Sequence, residues 1–178
     1  MKRRAVLAAF AAVLTVSAAG GAMAADKKTI AGIVFQQDQF FRTIQTGMEA
    51  AAKDAGVDLL MANSESKPEK EASLVDTYIA RGVSAIVISP ISAKASIPAL
   101  KRAADAGIKI VTYNSGIDAD LAVSYLNSSQ LDLGQTTGKA AAEFVKAKLG
   151  GKAKIATLGF KALLPEVSGQ RVGGFLDE

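Results

Sequence analysis

Cysteine and histidine are both absent from this 178-residue chain. Without thiols there are no disulfides, no thiolate nucleophile or metal ligand, and no N-terminal cysteine to carry a lipid anchor. Without imidazoles there is no histidine general base, no imidazole metal ligand and no Ser-His-Asp triad. A G-x-G-x-x-G loop after a strand, a G-x-S-x-G elbow and a metal-ligand cluster are missing as well. The one carboxylate pair that an exported α/β enzyme could be built on is Asp38 with Glu166, and nothing in the sequence fixes their separation. The expectation is a protein that binds without reacting and needs no cofactor or metal.

A hydrophobic run long enough to cross a membrane is lacking too. The apolar stretch from Ala5 to Ala19 stops at Gly20-Gly21, short of the roughly 20 residues a spanning helix requires. It follows the basic Lys2, Arg3 and Arg4 and precedes Ala22-Met23-Ala24, a small-x-small cleavage site, so residues 1–24 read as a cleaved signal peptide. Adjacent arginines followed by Ala5-Val6-Leu7 also fit a twin-arginine leader, although the ordinary export route needs nothing more than is here. The mature protein is expected in the periplasm, without membrane insertion.

Charge of one sign is scarce once the leader is removed. Of 21 basic and 17 acidic residues, three basic ones and no acid fall in the leader, so the net charge drops from +4 to +1. The remaining signs are interspersed, which argues against a nucleic-acid or membrane-surface footprint.

What the chain does have is a regular beat of apolar, β-branched runs: Ile30 to Phe35, Val57 to Ala62, Ala85 to Ser89, Ile108 to Tyr113, Leu121 to Leu126 and Lys154 to Gly159. They do not alternate cleanly with polar residues, so they read as strands buried on both faces. Helical patterns lie between them. Phe41, Ile44, Met48, Ala51 and Ala55 share one stripe that ends at Gly56; Pro68 opens a second helix that closes at Gly82; Pro98 and Gly107 bracket a third. A fourth runs from about Gln130 to Leu149, with Gly134 and Gly138 on one side for close packing. Strands separated by single helices imply βαβ units and an α/β, doubly wound parallel sheet.

Such sheets bind ligands outside the carboxyl ends of their strands. Here those ends are Phe35-Gln36-Gln37-Asp38, Asn63-Ser64, Ser89-Pro90, Asn114-Ser115 and Gly159-Phe160. Amides, hydroxyls and a single carboxylate suit a neutral polyol better than a phosphate. Asn, Ser and Asp are also ordinary turn and cap residues, and only their recurrence at several strand ends favours a site.

The segments IAGIVFQQDQFF, LLMANSESKPEKEASLVDTYIARGVSAIVISP and AADAGIKIVTYNSGI, with R-x-x-G-F at Arg171 to Phe175, resemble the type I periplasmic solute-binding proteins of sugar ABC importers, in their ribose-binding cluster. The resemblance implies a two-lobed clamp closing on a small neutral sugar or polyol, a monomer that delivers its load to the membrane subunits of an ABC permease. It implies a signal peptide at 1–24, an N-terminal α/β lobe at 25–127 and the start of a second lobe at 128–178. The first lobe is then mostly present and the second only begun.

Carried over position by position, Phe35, Gln36, Gln37 and Asp38 fall at the first-strand contact, and Phe40 and Phe41 match rings that stack on a sugar. Phe41 also continues the apolar stripe, which opens a core role for it. Asn114 and Ser115 stand where ribose binders carry an aspartate and an arginine, and Gly169 replaces an expected arginine, so ribose itself is in doubt. Glu166, Gln170 or Arg171 are the residues that could compensate, with Phe160 and Lys161 as a further wall. A lactose-repressor-type regulator shares this fold but lacks an export signal. A periplasmic sensor presenting its ligand to a chemoreceptor or kinase would have the same fold and site as the importer receptor.

Overall fold

The computed structural model describes residues 27–178, so the signal-peptide assignment at 1–24 lies outside the described residues. The order of elements is β1 (Thr29–Val34), α1 (Gln39–Asp54), β2 (Asp58–Asn63), α2 (Pro68–Ala80), β3 (Ala85–Ile88), α3 (Ile97–Asp105), β4 (Lys109–Tyr113), β5 (Ala122–Leu126), α4 (Gln130–Lys148) and α5 (Pro165–Leu176). All five strands pair in parallel in the order β2-β1-β3-β4-β5. The chain leaves β1 in one direction and β3 in the other, so the loops after these two strands part and leave a crevice at the switch point.

The helices form where the punctuation puts them. Asp38 caps α1, its Oδ1 accepting the Phe41 N–H at 2.9 Å. Gly56 and Gly82 follow α1 and α2 with φ of +66° and +65°, a conformation that would strain a side chain. Pro68 and Pro98 sit in the first turns of α2 and α3, where a missing N–H costs nothing.

Two apolar clusters cover the sheet. One joins Ala31, Ile33, Ile86, Ile88 and Ile110 to Val75 and Tyr78 of α2 and Leu100 and Ala103 of α3. The other joins Val34, Phe35 and Tyr113 to Phe41 of α1, and also takes in Ile91, Leu164 and Val167. Residues from α5 and the segment before it therefore pack on the carboxyl ends of the strands.

Two expectations change. β5, which follows β4 without an intervening helix as the short spacing implies, has its register broken by a bulge at Ile110/Val111. It is an edge strand, largely exposed from Val123 onward, and not buried on both faces. Lys154 to Gly159 forms no strand. A strand exists only through a ladder with a neighbour; among the described residues none pairs with this segment, and Leu158 is 100% exposed.

The glycines of α4 do allow close packing. A Cβ on Gly134 would lie 2.2 Å from the carbonyl oxygen of Arg171 in α5, and one on Gly138 would lie 2.6 Å from the carbonyl oxygen of Phe175. Gly174 of α5 reciprocates, with Leu131 O at 2.5 Å from its hypothetical Cβ.

Candidate functional site

The loop between β1 and α1 is braced from within. Gln36 Nε2 donates to Asp38 Oδ2 at 2.6 Å, while the other oxygen of Asp38 caps α1. Both carboxylate oxygens thus have partners, and Asp38 has a structural task alongside any contact with a ligand.

Four rings meet beside this loop. Phe41 lies edge-on to Phe35 at 4.4 Å between centroids and to Phe40 at 5.1 Å, and is tilted against Tyr113 at 6.5 Å. Phe35 and Phe41 are 1% and 2% exposed, whereas Phe40 is 53% exposed. The pair Phe40-Phe41 therefore divides: Phe41 anchors α1 in the core, and Phe40 keeps an open ring. Tyr113, which sequence reasoning did not single out beyond the end of a strand, donates its hydroxyl to Ile33 O at 3.0 Å. Burial pushes its phenol above the ordinary tyrosine range.

Asn114 turns the chain at the end of β4 with φ of +60°, a left-handed conformation that asparagine tolerates better than most residues. Its N–H donates to Leu126 O at 3.0 Å and its Nδ2 to Ser89 Oγ at 3.1 Å. Ser115 is buried; its Oγ donates to Pro90 O at 2.6 Å and lies 3.1 Å from Ser89 Oγ. These bonds tie the ends of β3 and β4 together, which makes Ser115 a brace of the site's wall.

Arg171 on α5 lies over the ring of Phe160, its Cζ 5.5 Å from the centroid. Its Nε donates to Gln130 Oε1 at 2.9 Å, and Nη2 donates to the same oxygen. The partner is thus the side-chain amide of the first residue of α4. Gln130 is 4% exposed and donates from Nε2 to Asn127 Oδ1 at 3.1 Å and to Ser128 O at 3.3 Å. Sequence reasoning used Gln130 only as the start of α4.

Gln36, Asp38, Phe40, Asn114 and Arg171 line one cavity of about 300 Å³, with Phe35 and Phe41 also on its wall. A neighbouring cavity of about 510 Å³ shares Phe40, Asn114 and Arg171 and continues along Met48, Leu126 and Leu133. Seven of the ten candidate residues are thereby brought together. Ser115 and Glu166 line a separate cavity, and Gln37 is exposed and lines none of the three. Among the described residues no cluster of acids could hold a metal ion, and no helix is long and apolar enough to cross a membrane.

An open parallel sheet with an open aromatic ring, amides and a guanidinium lining a shared cavity beside its strand ends defines an α/β ligand-binding protein. The chain belongs to the periplasmic binding protein domain family, which residues 30–172 match. It is 35% identical over 161 residues to the ABC transporter periplasmic-binding protein YphF of Escherichia coli (strain K12), covering 86% of this chain and 49% of that protein. It is 37% identical over 140 residues to the D-apiose import binding protein of Paraburkholderia graminis, covering 77% and 43% respectively. Among solved structures, a periplasmic solute-binding protein of an ABC transporter from Actinobacillus succinogenes 130z, with bound D-allose, aligns with a TM-score of 0.74 at 29% identity, over 85% of this chain and 54% of that one. The fold is that of the type I periplasmic binding proteins, and the chain spans about half the length of the relatives it matches.

Proposed function

We propose that this chain is part of the substrate-binding component of an ABC-type importer, capturing a small sugar or polyol in the periplasm between two lobes and presenting it to the permease's membrane subunits. The observation that carries the reading is the cavity of about 300 Å³ where the exposed ring of Phe40 faces the polar groups of Gln36, Asp38, Asn114 and Arg171. A sugar offers the matching chemistry. Its C–H face covers an aromatic ring while its hydroxyls, each a donor and an acceptor, satisfy amides and charges at the rim. The family membership and the import roles in the names of its relatives support the same reading.

Capture is coupled to delivery if the solute contacts the closed arrangement more extensively than the open one, because only differential contacts shift such an equilibrium. Native mass spectrometry of the protein at its natural length, followed by calorimetry with the co-purified compound, tests the assignment. A hydroxylated small molecule bound in the micromolar range or tighter supports it. Loss of uptake of that compound on deletion of the gene establishes the import role. Intact uptake with lost chemotaxis or signalling assigns the protein to a sensor instead.

A further inference from the structure

The peptide group joining Pro90 to Ile91 is held by side chains at both of its polar atoms. Ser115 Oγ, just after β4, donates to Pro90 O at 2.6 Å, and Glu71 Oε2, on α2, accepts the Ile91 N–H at 2.9 Å. A trans peptide points its C=O and N–H in opposite directions, so the two grips come from opposite sides of one rigid plane. The far side of that plane reaches the candidate site. Ser115 Oγ lies 3.1 Å from Ser89 Oγ, which accepts from Asn114 Nδ2 at 3.1 Å. Asn114 lines both cavities beside Phe40, whereas Glu71 lines neither.

The dipole of α2 favours an acid in its first turn, and the exposed Glu69 there needs no other explanation. Glu71 differs because it is buried, at 3% exposed, and pairs with no lysine or arginine among the described residues. Burying a carboxylate costs free energy that two neutral donors return only in part. Those donors are the Ile91 N–H and Ser96 Oγ, and Ser96 Oγ itself accepts the Ser92 N–H at 3.4 Å. Every bond Glu71 makes is therefore spent on the loop that carries the Pro90–Ile91 peptide.

We infer that Glu71 is a positioning residue for solute capture: it fixes the Pro90–Ile91 peptide and, through Ser115 and Ser89, the side-chain amide of Asn114. The inference rests on the solute-capture reading above and adds to it a residue that touches no solute. The peptide is the lever. If Glu71 lets go of the N–H, the plane is free to turn, the carbonyl turns with it, and Ser115 and Ser89 lose the arrangement that leaves Asn114 Nδ2 a fixed acceptor. The group held is a neutral N–H, so the site needs an acceptor at the right reach and not a negative charge.

The test compares Glu71→Gln, Glu71→Asp and Glu71→Ala in the protein at its natural length, each shown to be folded by its thermal melt. NMR reads the side-chain amide signals of Asn114 with no solute present, and calorimetry reads affinity for D-ribose, D-allose, D-apiose, L-arabinose and myo-inositol. Gln keeps the reach and an acceptor, so its Asn114 signals and affinities should stay near those of the native protein. Asp keeps the charge but is one methylene short. Asp and Ala should both shift the Asn114 signals and weaken the best-binding compound about three- to tenfold, the worth of one neutral hydrogen bond. In an Asn114→Gly background, which drops the amide and suits the left-handed backbone, Glu71→Ala should weaken binding less than about twofold further. Asn114 signals that stay put in Asp and Ala overturn the inference and leave the solute-capture reading standing. So do losses that add fully to that of Asn114→Gly, which would place the effect elsewhere, and a Gln variant as weak as Ala, which would make charge the requirement. If the native protein binds none of the five compounds, the assignment to this solute class falls and the positioning role falls with it. Where Glu71→Ala does not fold, Glu71→Asp against Glu71→Gln gives the same decision.

Discussion

Glu71, on α2, accepts the backbone N–H of Ile91 on its Oε2 at 2.9 Å, and its other oxygen accepts from Ser96 Oγ. One buried carboxylate thus closes the loop after β3 from both ends, and that loop supplies a wall of the separate cavity lined by Ser115 and Glu166, about 430 Å³ in volume. Burial is the largest influence on Glu71 and raises its pKa, with the two hydrogen bonds acting in the opposite sense.

The pH dependence follows from that direction. A carboxyl with a raised pKa in the folded state binds its proton more tightly there than in the unfolded chain. Its stabilising contribution is complete below the unfolded pKa and is lost as pH rises through the folded one. Stability of the native protein relative to Glu71→Gln should therefore fall between acidic and neutral pH, as measured by urea unfolding across that range. Glu71→Ala should cost about 1–3 kcal/mol at acidic pH, because it strands the Ile91 N–H. A flat difference between native and Gln forms would refute the titration.

Phe40 and Phe41 should part company on truncation. Phe41→Ala removes a buried ring and is expected to cost about 3–5 kcal/mol in a denaturant melt. Phe40→Ala should leave stability nearly unchanged and weaken solute binding at natural length. Asp38→Ala combines both effects, since it also removes the α1 cap, worth about 1 kcal/mol.

Two glycines in helices make opposite predictions. Gly134→Ala drives a methyl into the backbone of α5 and should destabilise by about 1–3 kcal/mol or more. Gly47, in α1, has nothing within 4 Å of a hypothetical Cβ, so Gly47→Ala should stabilise by about 0.5–1 kcal/mol. Thermal melts of the two variants side by side check both signs.

Gln130 should act through Arg171. It holds the guanidinium by one oxygen and the Asn127-Ser128 turn by its amide nitrogen. In a double-mutant cycle, Gln130→Ala and Arg171→Ala are expected to couple by about 0.5–3 kcal/mol in stability. Additive losses would show that the contact contributes nothing.

Much of this architecture was legible in the sequence. Apolar runs located five strands, and Pro and Gly located the helix ends, because those residues act through local sterics that need no tertiary context. The apolar stripe through Phe41, Ile44 and Met48 already hinted at how the aromatic pair divides. Lys154 to Gly159 misled because strand formation is a property of two segments, and composition reports only one. Exposure of β5 was hidden for the same reason: its residues are as apolar as those of an interior strand. Gln130 looked like any helix-starting amide, since its partners are 41 residues away in Arg171 and nearby in a turn. Ser115 read as a ligand group because nothing in the sequence shows that Pro90 and Ser89 claim its hydroxyl first.

Leu164 and Val167 rest on Phe35, Ile91 and Tyr113 at the strand ends. That contact is apolar, so its strength varies with temperature as hydrophobic association does, weakening on cooling. A solute that displaced these two side chains would return hydrocarbon to water while covering its own polar surface. The heat-capacity change of capture would then be less negative than burial of the solute alone requires.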